Sequence, residues 1–281
     1  MTEIVSPKEL SPERPRVQVG NLDLDSLTEN EVVEIVRKSW TEGRGGSIVP
    51  VNIDVARAAA HKAALAQLIS AGSLVVADGM PLVWASRIQG DALPERIAGS
   101  SLMYSLSEAA AVDGRSVFLL GGADGVPAKA ADELRRRFTD LRIAGADSPP
   151  FGFDRTDEGI QETIAGVTAA APDLVFVGLG FPRQEQLIER LQRALPAAWY
   201  LGCGGGIPMA AGMVSRASPL MQRAGLEWAH RLALEPRRLA RRYLRDDLPF
   251  AIGLLTQSGV RRFARRTSAS ARQDGQQTGD R

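Results

Sequence analysis

Seven short runs of β-branched and aliphatic residues recur along this chain, most followed by a segment with helical spacing, and this alternation limits the available folds. The strand-like runs are Arg16–Val19, Ser47–Val51, Leu74–Ala77, Ser116–Leu120, Leu141–Ala144, Leu174–Gly178 and Trp199–Gly202. Leu74–Ala77 and Leu174–Gly178 are almost continuously apolar, as strands covered on both faces are. Helical patterns fill Leu27–Thr41, Val55–Ser70, Pro81–Ile88, Leu102–Val112, Pro127–Phe138, Asp157–Ala170 and Arg183–Ala194, then Pro219–Leu234 and Pro236–Leu244 beyond the last strand. The order predicts an α/β fold: a doubly wound, mainly parallel Rossmann-like sheet with a helical, basic C-terminal appendage. Ligands of such sheets bind at the carboxyl ends of the strands. The alternation stops near Gly212. The expected organisation is a disordered tail over 1–15, an α/β domain over 16–212, an arginine-rich helical appendage over 213–266 and a Ser/Gln/Gly/Arg-rich disordered tail over 267–281.

The charge is as uneven as the pattern. Residues 216–266 hold 12 arginines, no lysine and 4 acids, a net +8, whereas the 215 residues before them hold 20 basic and 27 acidic side chains, a net −7. A formal net charge of +1 conceals this split. Cations gathered into one segment point to an anionic partner, and arginine's planar fork suits bidentate phosphate contacts. At 281 residues with 44% hydrophobic content the chain is an ordinary globular protein. Its single cysteine, Cys203, cannot form an internal disulfide and fits a reducing compartment. Met1–Pro15 lacks the apolar run of a secretory signal, and the late apolar stretch Pro249–Leu255 falls far short of the ~20 residues that span a bilayer.

Several strand ends carry residues suited to a polar site. Asp78 follows Leu74–Ala77 and precedes Gly79-Met-Pro81, so it reads either as a general base at the sheet edge or as a helix cap. Gly178-Leu-Gly180-Phe-Pro182-Arg-Gln184-Glu185 runs from a strand through two glycines into a helix, either a ligand-binding turn or a tight β–α connection. Gly202-Cys-Gly204-Gly205-Gly206 is a third glycine cluster, able to cradle phosphate. Gly121-Gly-Ala-Asp-Gly125 lacks the spacing of a dinucleotide fingerprint, which speaks against NAD. Asp23-Leu-Asp25 superficially resembles a metal–diphosphate pair, but Asp25 reads better as a helix cap. Two histidines and one cysteine make zinc improbable, and Cys203 reads as a packing residue. Arg238, Arg241, Arg242 and Arg245 fall on one helical face, basic and interleaved with leucines, so an amphipathic membrane-surface helix is a rival to a phosphate site.

Taken in order, these segments resemble the WecG/TagA/CpsF glycosyltransferase family, which makes sugar–lipid intermediates for bacterial surface polysaccharides. The matching pieces are Asn52-Ile-Asp54, Ala77-Asp78-Gly79-Met-Pro81-Leu, Pro94-Glu95-Arg96-Ile-Ala-Gly99, Phe118-Leu-Leu-Gly-Gly122, Pro149-Pro-Phe-Gly152, Gly178 to Glu185, Gly225-Leu-Glu-Trp228 through Arg231, and Glu235-Pro-Arg237-Arg238-Leu to Arg242-Tyr-Leu. The resemblance implies a UDP-sugar-dependent hexosyltransferase that inverts the anomeric carbon without a metal, needs no cofactor beyond its UDP-sugar donor substrate, and uses a polyprenyl-diphosphate-linked sugar as acceptor. It implies Asp78 as general base. It also implies a substrate-binding set of Asn52, Gly79, Arg96, Gly180, Gln184, Glu185, Gly204, Gly205, Arg231, Arg237, Arg238 and Arg241. The expected location is cytoplasmic, peripherally attached to the inner face of the membrane, with an anionic membrane surface and no nucleic acid as partner. With no metal-binding carboxylate pair evident, arginines and helix N-terminal N–H groups must neutralise the departing diphosphate. The chain departs from the family pattern at Pro50, at Ser101 and at Ile207-Pro208. The competing reading is a non-catalytic basic module that binds anionic membrane or nucleic acid with strong salt dependence and no turnover.

Overall fold

The structure, a computed structural model, describes residues 14–215, 218, 221, 227–234 and 236–277, without the side chains of Arg231, Arg238 and 266–277. An antiparallel hairpin, β1 (Arg16–Val19) and β2 (Leu22–Asp25), opens the chain. Then come α1 (Glu29–Thr41), β3 (Gly46–Val51), α2 (Ile53–His61), α3 (Ala63–Ser70), β4 (Leu74–Ala77), α4 (Met80–Gln89), α5 (Gly99–Val112), β5 (Ser116–Leu120) and α6 (Val126–Arg137). The remainder is β6 (Arg142–Asp147), a short 3-10 turn (Phe153–Arg155), α7 (Asp157–Ala170), β7 (Leu174–Val177), α8 (Arg183–Ala194), β8 (Trp199–Gly202) and α9 (Gly206–Ala210). Beyond the sheet lie α10 (Glu227–Leu234), α11 (Pro236–Ala240), a π-helical turn (Arg241–Asp247) and α12 (Leu248–Gln277).

The six strands β3 to β8 form one parallel sheet in the order β4-β3-β8-β7-β5-β6. Strand periodicity sorts its side chains onto two covered faces. Ile48, Leu74, Val76, Val117, Leu119, Leu174, Phe176, Trp199 and Leu201 turn to one face and pack with residues of α1, α5, α6 and α9. On the other face, Val49, Val51, Val75 and Ala77 join the hairpin, α2 and α4, while Phe118, Leu120, Val175, Val177 and Tyr200 join α7 and α8. The fold is therefore α/β and doubly wound, as the alternation of patterns predicts. In every strand of this sheet but the edge strand β6, residues of both faces are buried, which explains why those runs read as continuously apolar.

Three expectations need correction. Asp25 does not cap α1. Thr28 does, in a reciprocal capping box with Glu31. Leu22–Asp25 instead pairs with β1, and the Asp25 carboxylate, 1% exposed, accepts the Val75 N–H at 2.7 Å and the Arg16 side chain at 3.0 Å. Nothing in the local sequence announces partners 50 residues away. The single helix expected over 55–70 is two, because Lys62 is extended (φ −138°, ψ 109°) between α2 and α3. Finally, α12 continues to Gln277, through residues read as a structureless tail, whereas residues 1–13 of the other tail lie outside the described residues.

The last helix rests on the body of the protein. α12 packs along α4, and its Leu254 is buried with Val17, Val19, Leu82 and Val83. Three of the late arginines serve this docking. Arg261 donates to the Gly20 carbonyl (3.2 Å), Arg262 donates to the Ile88 carbonyl (3.3 Å), and Arg265 pairs with Asp91. Ending the chain after Gly212, the expected domain boundary, would uncover this apolar flank of the body.

Candidate active site

Four adjacent strands, β4, β3, β8 and β7, end on one rim, and within three residues of each end comes a residue of the set singled out from the sequence: Asp78, Asn52, Gly204 and Gly180. Asn52 follows β3 and caps α2, its Oδ1 accepting the Val55 N–H at 3.0 Å. Asp78 follows β4, its own N–H tied to the Val51 carbonyl (2.7 Å). Gly79 lies close beside Asn52: a Cβ there would stand 3.7 Å from the Asn52 Cα. The alternative reading of Asp78 as the cap of α4 does not hold, since Gly79 takes that position and no side chain caps it. The Asp78 Oδ2 instead accepts the Gly99 N–H (3.2 Å), the first amide of α5.

Arg96 sits between α4 and α5, where the Ile97 N–H donates to the Ala77 carbonyl (2.8 Å) and brings the loop against the end of β4. Its Nη1 lies 3.6 Å from Asp78 Oδ1 and donates at 3.0 Å to Glu227 Oε2 of α10. One guanidinium thus stands between a carboxylate of the rim and a carboxylate of the C-terminal segment. All three side chains are largely buried, so the ion pairs are shielded from solvent screening. Sequence reasoning passed over Glu227 because it is one of four acids in a strongly basic stretch, 131 residues from its partner.

At the other half of the rim, Gln184 and Glu185 open α8 and turn inward, 6% and 5% exposed. Gln184 Oε1 accepts the N–H groups of Gly180 (3.1 Å) and Gly204 (3.2 Å), joining the turns after β7 and β8. Its Nε2 donates to Glu185 Oε1 at 2.8 Å. Gly180 (φ +78°) and Gly204 (φ +49°) hold left-handed conformations that L side chains rarely adopt, and Gly205 leads into α9. Burial pushes the Glu185 carboxyl up to about 7, against the lowering effect of its Gln184 hydrogen bond. Cys203 behaves as a packing residue: it is buried, its thiol is pushed up to about 12 by that burial, and it faces the Val177 carbonyl.

The appendage meets the body at a second place beside the rim. Arg57 of α2 donates to Asp54 (2.6 Å) and to Asp247 of the π-helical turn (3.1 Å), and Arg242 lies 3.7 Å from Asp54. Asp247 is 4% exposed, and burial, with Asp54 nearby, raises its carboxyl against the pull of Arg57 and Arg242. Trp228 meets Tyr243 edge to face, with ring centres 6.5 Å apart, so α10 and the π-helical turn brace each other. Arg57→Ala would leave Asp247 buried beside fewer cations. It should destabilise this junction by about 1–2 kcal/mol and speed limited proteolysis between 213 and 248. An unchanged cleavage rate would show that the cluster does not fasten the segment.

The expected arginines fare differently. Arg237 and Arg241 are exposed, in α11 and at the start of the π-helical turn. Arg231 lies in α10 and Arg238 in α11, with side chains outside the described residues. The α-helical spacing that aligns Arg238, Arg241, Arg242 and Arg245 on one face stops at Ala240, because the π-helical backbone turns fewer degrees per residue. Sequence spacing alone cannot reveal that change of pitch.

The fold is a parallel doubly wound α/β sheet whose rim carries a carboxylate and glycine turns, with α10 of the basic C-terminal segment tied to that rim through Arg96 and Glu227. Residues 17–264 match the Glycosyl transferase WecG/TagA/CpsF family. The chain is 32% identical, over 79% of its own length and 85% of the relative's, to an N-acetylglucosaminyldiphosphoundecaprenol N-acetyl-beta-D-mannosaminyltransferase of Bacillus spizizenii. It is 30% identical to an enzyme of the same name from Bacillus subtilis, over 74% of this chain and 80% of that one. The chain belongs to the WecG/TagA/CpsF glycosyltransferase family.

Proposed function

We propose that this protein is an inverting, metal-independent hexosyltransferase that moves a sugar from a UDP-sugar to a polyprenyl-diphosphate-linked saccharide, with Asp78 as the general base. The observation that carries this reading is the Asp78 carboxylate at the end of β4, held by the Gly99 N–H and faced by Arg96. Inversion requires one base on the acceptor hydroxyl and a means of stabilising the departing diphosphate. The first is supplied by Asp78. The second is assigned to the glycine turns after β7 and β8 and to the exposed appendage arginines Arg237 and Arg241. Among the described residues no three His, Cys, Asp or Glu side chains gather as metal ligands would.

The relatives' names specify the starting substrates: an N-acetylmannosamine donor and a lipid-diphosphate N-acetylglucosamine acceptor. Incubation with UDP-N-acetylmannosamine and a short-chain acceptor analogue should release UDP only when both are present. A panel of other UDP-sugars then defines the donor. Donor hydrolysis without acceptor dependence, or nucleotide-free binding to vesicles as the sole activity, would overturn the transferase reading.

The acceptor's lipid places the enzyme at the inner membrane surface in this reading. No described helix is long and apolar enough to cross a membrane. Leu248, Ile252, Val260 and Phe263 are exposed along one side of α12, a pattern suited to lying against a lipid surface. Ile252→Asp with Phe263→Asp should weaken binding to anionic vesicles about tenfold or more, given the apolar area each residue contributes. Cosedimentation that is indifferent to both changes would move the contact elsewhere.

A further inference from the structure

We propose that Glu185 is a positioning residue: it orients the Gln184 amide so that one oxygen staples the Gly180 and Gly204 turns together, and it does not itself contact substrate. The reading rests on the partners of its two oxygens. Oε1 accepts from Gln184 Nε2, and Oε2 is buried with no hydrogen-bond partner among the described residues.

The Gln184 amide could otherwise adopt either of two orientations. In the observed one its oxygen faces two backbone N–H donors and its NH2 faces a carboxyl oxygen. Flipped, the NH2 would meet two donors and the oxygen would meet an acceptor, so every contact would be of the wrong kind. A carboxyl at position 185 makes the choice unambiguous, because Oε1 accepts whether or not a proton resides on Oε2. Its elevated proton affinity is then tolerable, since the neutral acid performs the same task.

Gly202 belongs to the same device. A Cβ at Gly202 would approach Gln184 Nε2 to 2.7 Å and Glu185 Oε1 to 3.0 Å, so the end of β8 must be bare for the pair to lie against it. The two stapled turns are themselves in contact range: a Cβ on Gly178 would stand 3.0 Å from the Gly204 carbonyl oxygen. Fixing Gln184 therefore fixes the relative placement of two glycine loops that follow adjacent strands.

The test combines amide hydrogen exchange with turnover. In Glu185→Ala, exchange at Gly180 and Gly204 should quicken while the strand amides of β7 and β8 stay protected. The rate of UDP release should fall about a hundredfold, the scale of loss when a reacting group is misplaced by about an ångström. Glu185→Gln, which keeps an accepting oxygen, should restore both. Gly202→Ala, which displaces the pair with both residues present, should reproduce the exchange effect and serves if Glu185→Ala fails to fold. Unchanged exchange at the two glycines in Glu185→Ala and Gly202→Ala would overturn the proposal. So would a Glu185→Gln enzyme with protected glycines and the turnover of the alanine variant, since the carboxyl would then act on substrate. The turnover arm rests on the transferase reading, whose failure would appear separately as no acceptor-dependent UDP release by the wild-type protein.

Discussion

Asp78→Asn should lower acceptor-dependent UDP release about a thousandfold, within the range attributable to loss of a general base, with little change in thermal stability. The substitution isolates the proton-accepting role because it preserves nearly everything else. Asparagine has the same shape, and its Oδ1 can still accept the Gly99 N–H. Arg96 loses one carboxylate neighbour but keeps its closer one, Glu227. Donor affinity should therefore change less than the rate constant for transfer. Initial rates across donor and acceptor concentrations, alongside a melting curve, check both halves of the expectation. A fully active asparagine variant would remove Asp78 from the mechanism and return attention to Glu227, the other acid on Arg96.

A second large effect concerns stability and pH. Glu185 in the folded protein holds its proton up to about pH 7, whereas the unfolded side chain releases it near 4.5. Between those values the native state binds a proton that the unfolded state has lost, so stability falls as pH rises. Integrated from about pH 4.5 to pH 8, this one group should cost roughly 2–3 kcal/mol. Glu185→Gln removes the titration. Its own buried amide carries a fixed penalty, so the informative quantity is the slope: the variant should gain on wild type by that amount across the interval. Denaturant unfolding at three pH values measures it, and parallel curves for the two proteins would mean the carboxyl is solvated in solution. Cys203, the titratable neighbour on β8's turn, changes charge only well above this range.

The parts of the fold legible in the sequence were those whose cause is local and repeated. Leu74–Ala77, at one end of the sheet, and Leu174–Val177, in its middle, announce strands because both of their faces are covered, and the glycine positions mark where those strands must turn. The hairpin strand β2 escaped because four residues of Leu-Asp alternation are equally good as a lead into a helix. Only the distant Val75 amide and Arg16 decide that Asp25 is buried. The candidate site divides the same way. Asp78 and Gln184-Glu185 stand out as polar residues at strand ends, yet the division of labour between Gln184 and Glu185 depends on glycine amides after two different strands. The basic segment was read by its charge, and charge does not distinguish an arginine facing an anion from one bonded to a carbonyl. Arg261 and Arg262 are of the second kind, their guanidinium groups spent on Gly20 and Ile88.

The packing of α12 on α4 and on the turn of the first hairpin has a consequence for biosynthesis. Segments near residue 20 and near residue 254 form a single layer, with Leu254 against Gly20. During translation the hairpin and α4 must wait, apolar side outward, until the segment around Leu254 has emerged, and nascent chains in that interval are natural clients for chaperones. Stalling synthesis before Leu254 should yield a protease-sensitive amino-terminal half, whatever the state of the central strands.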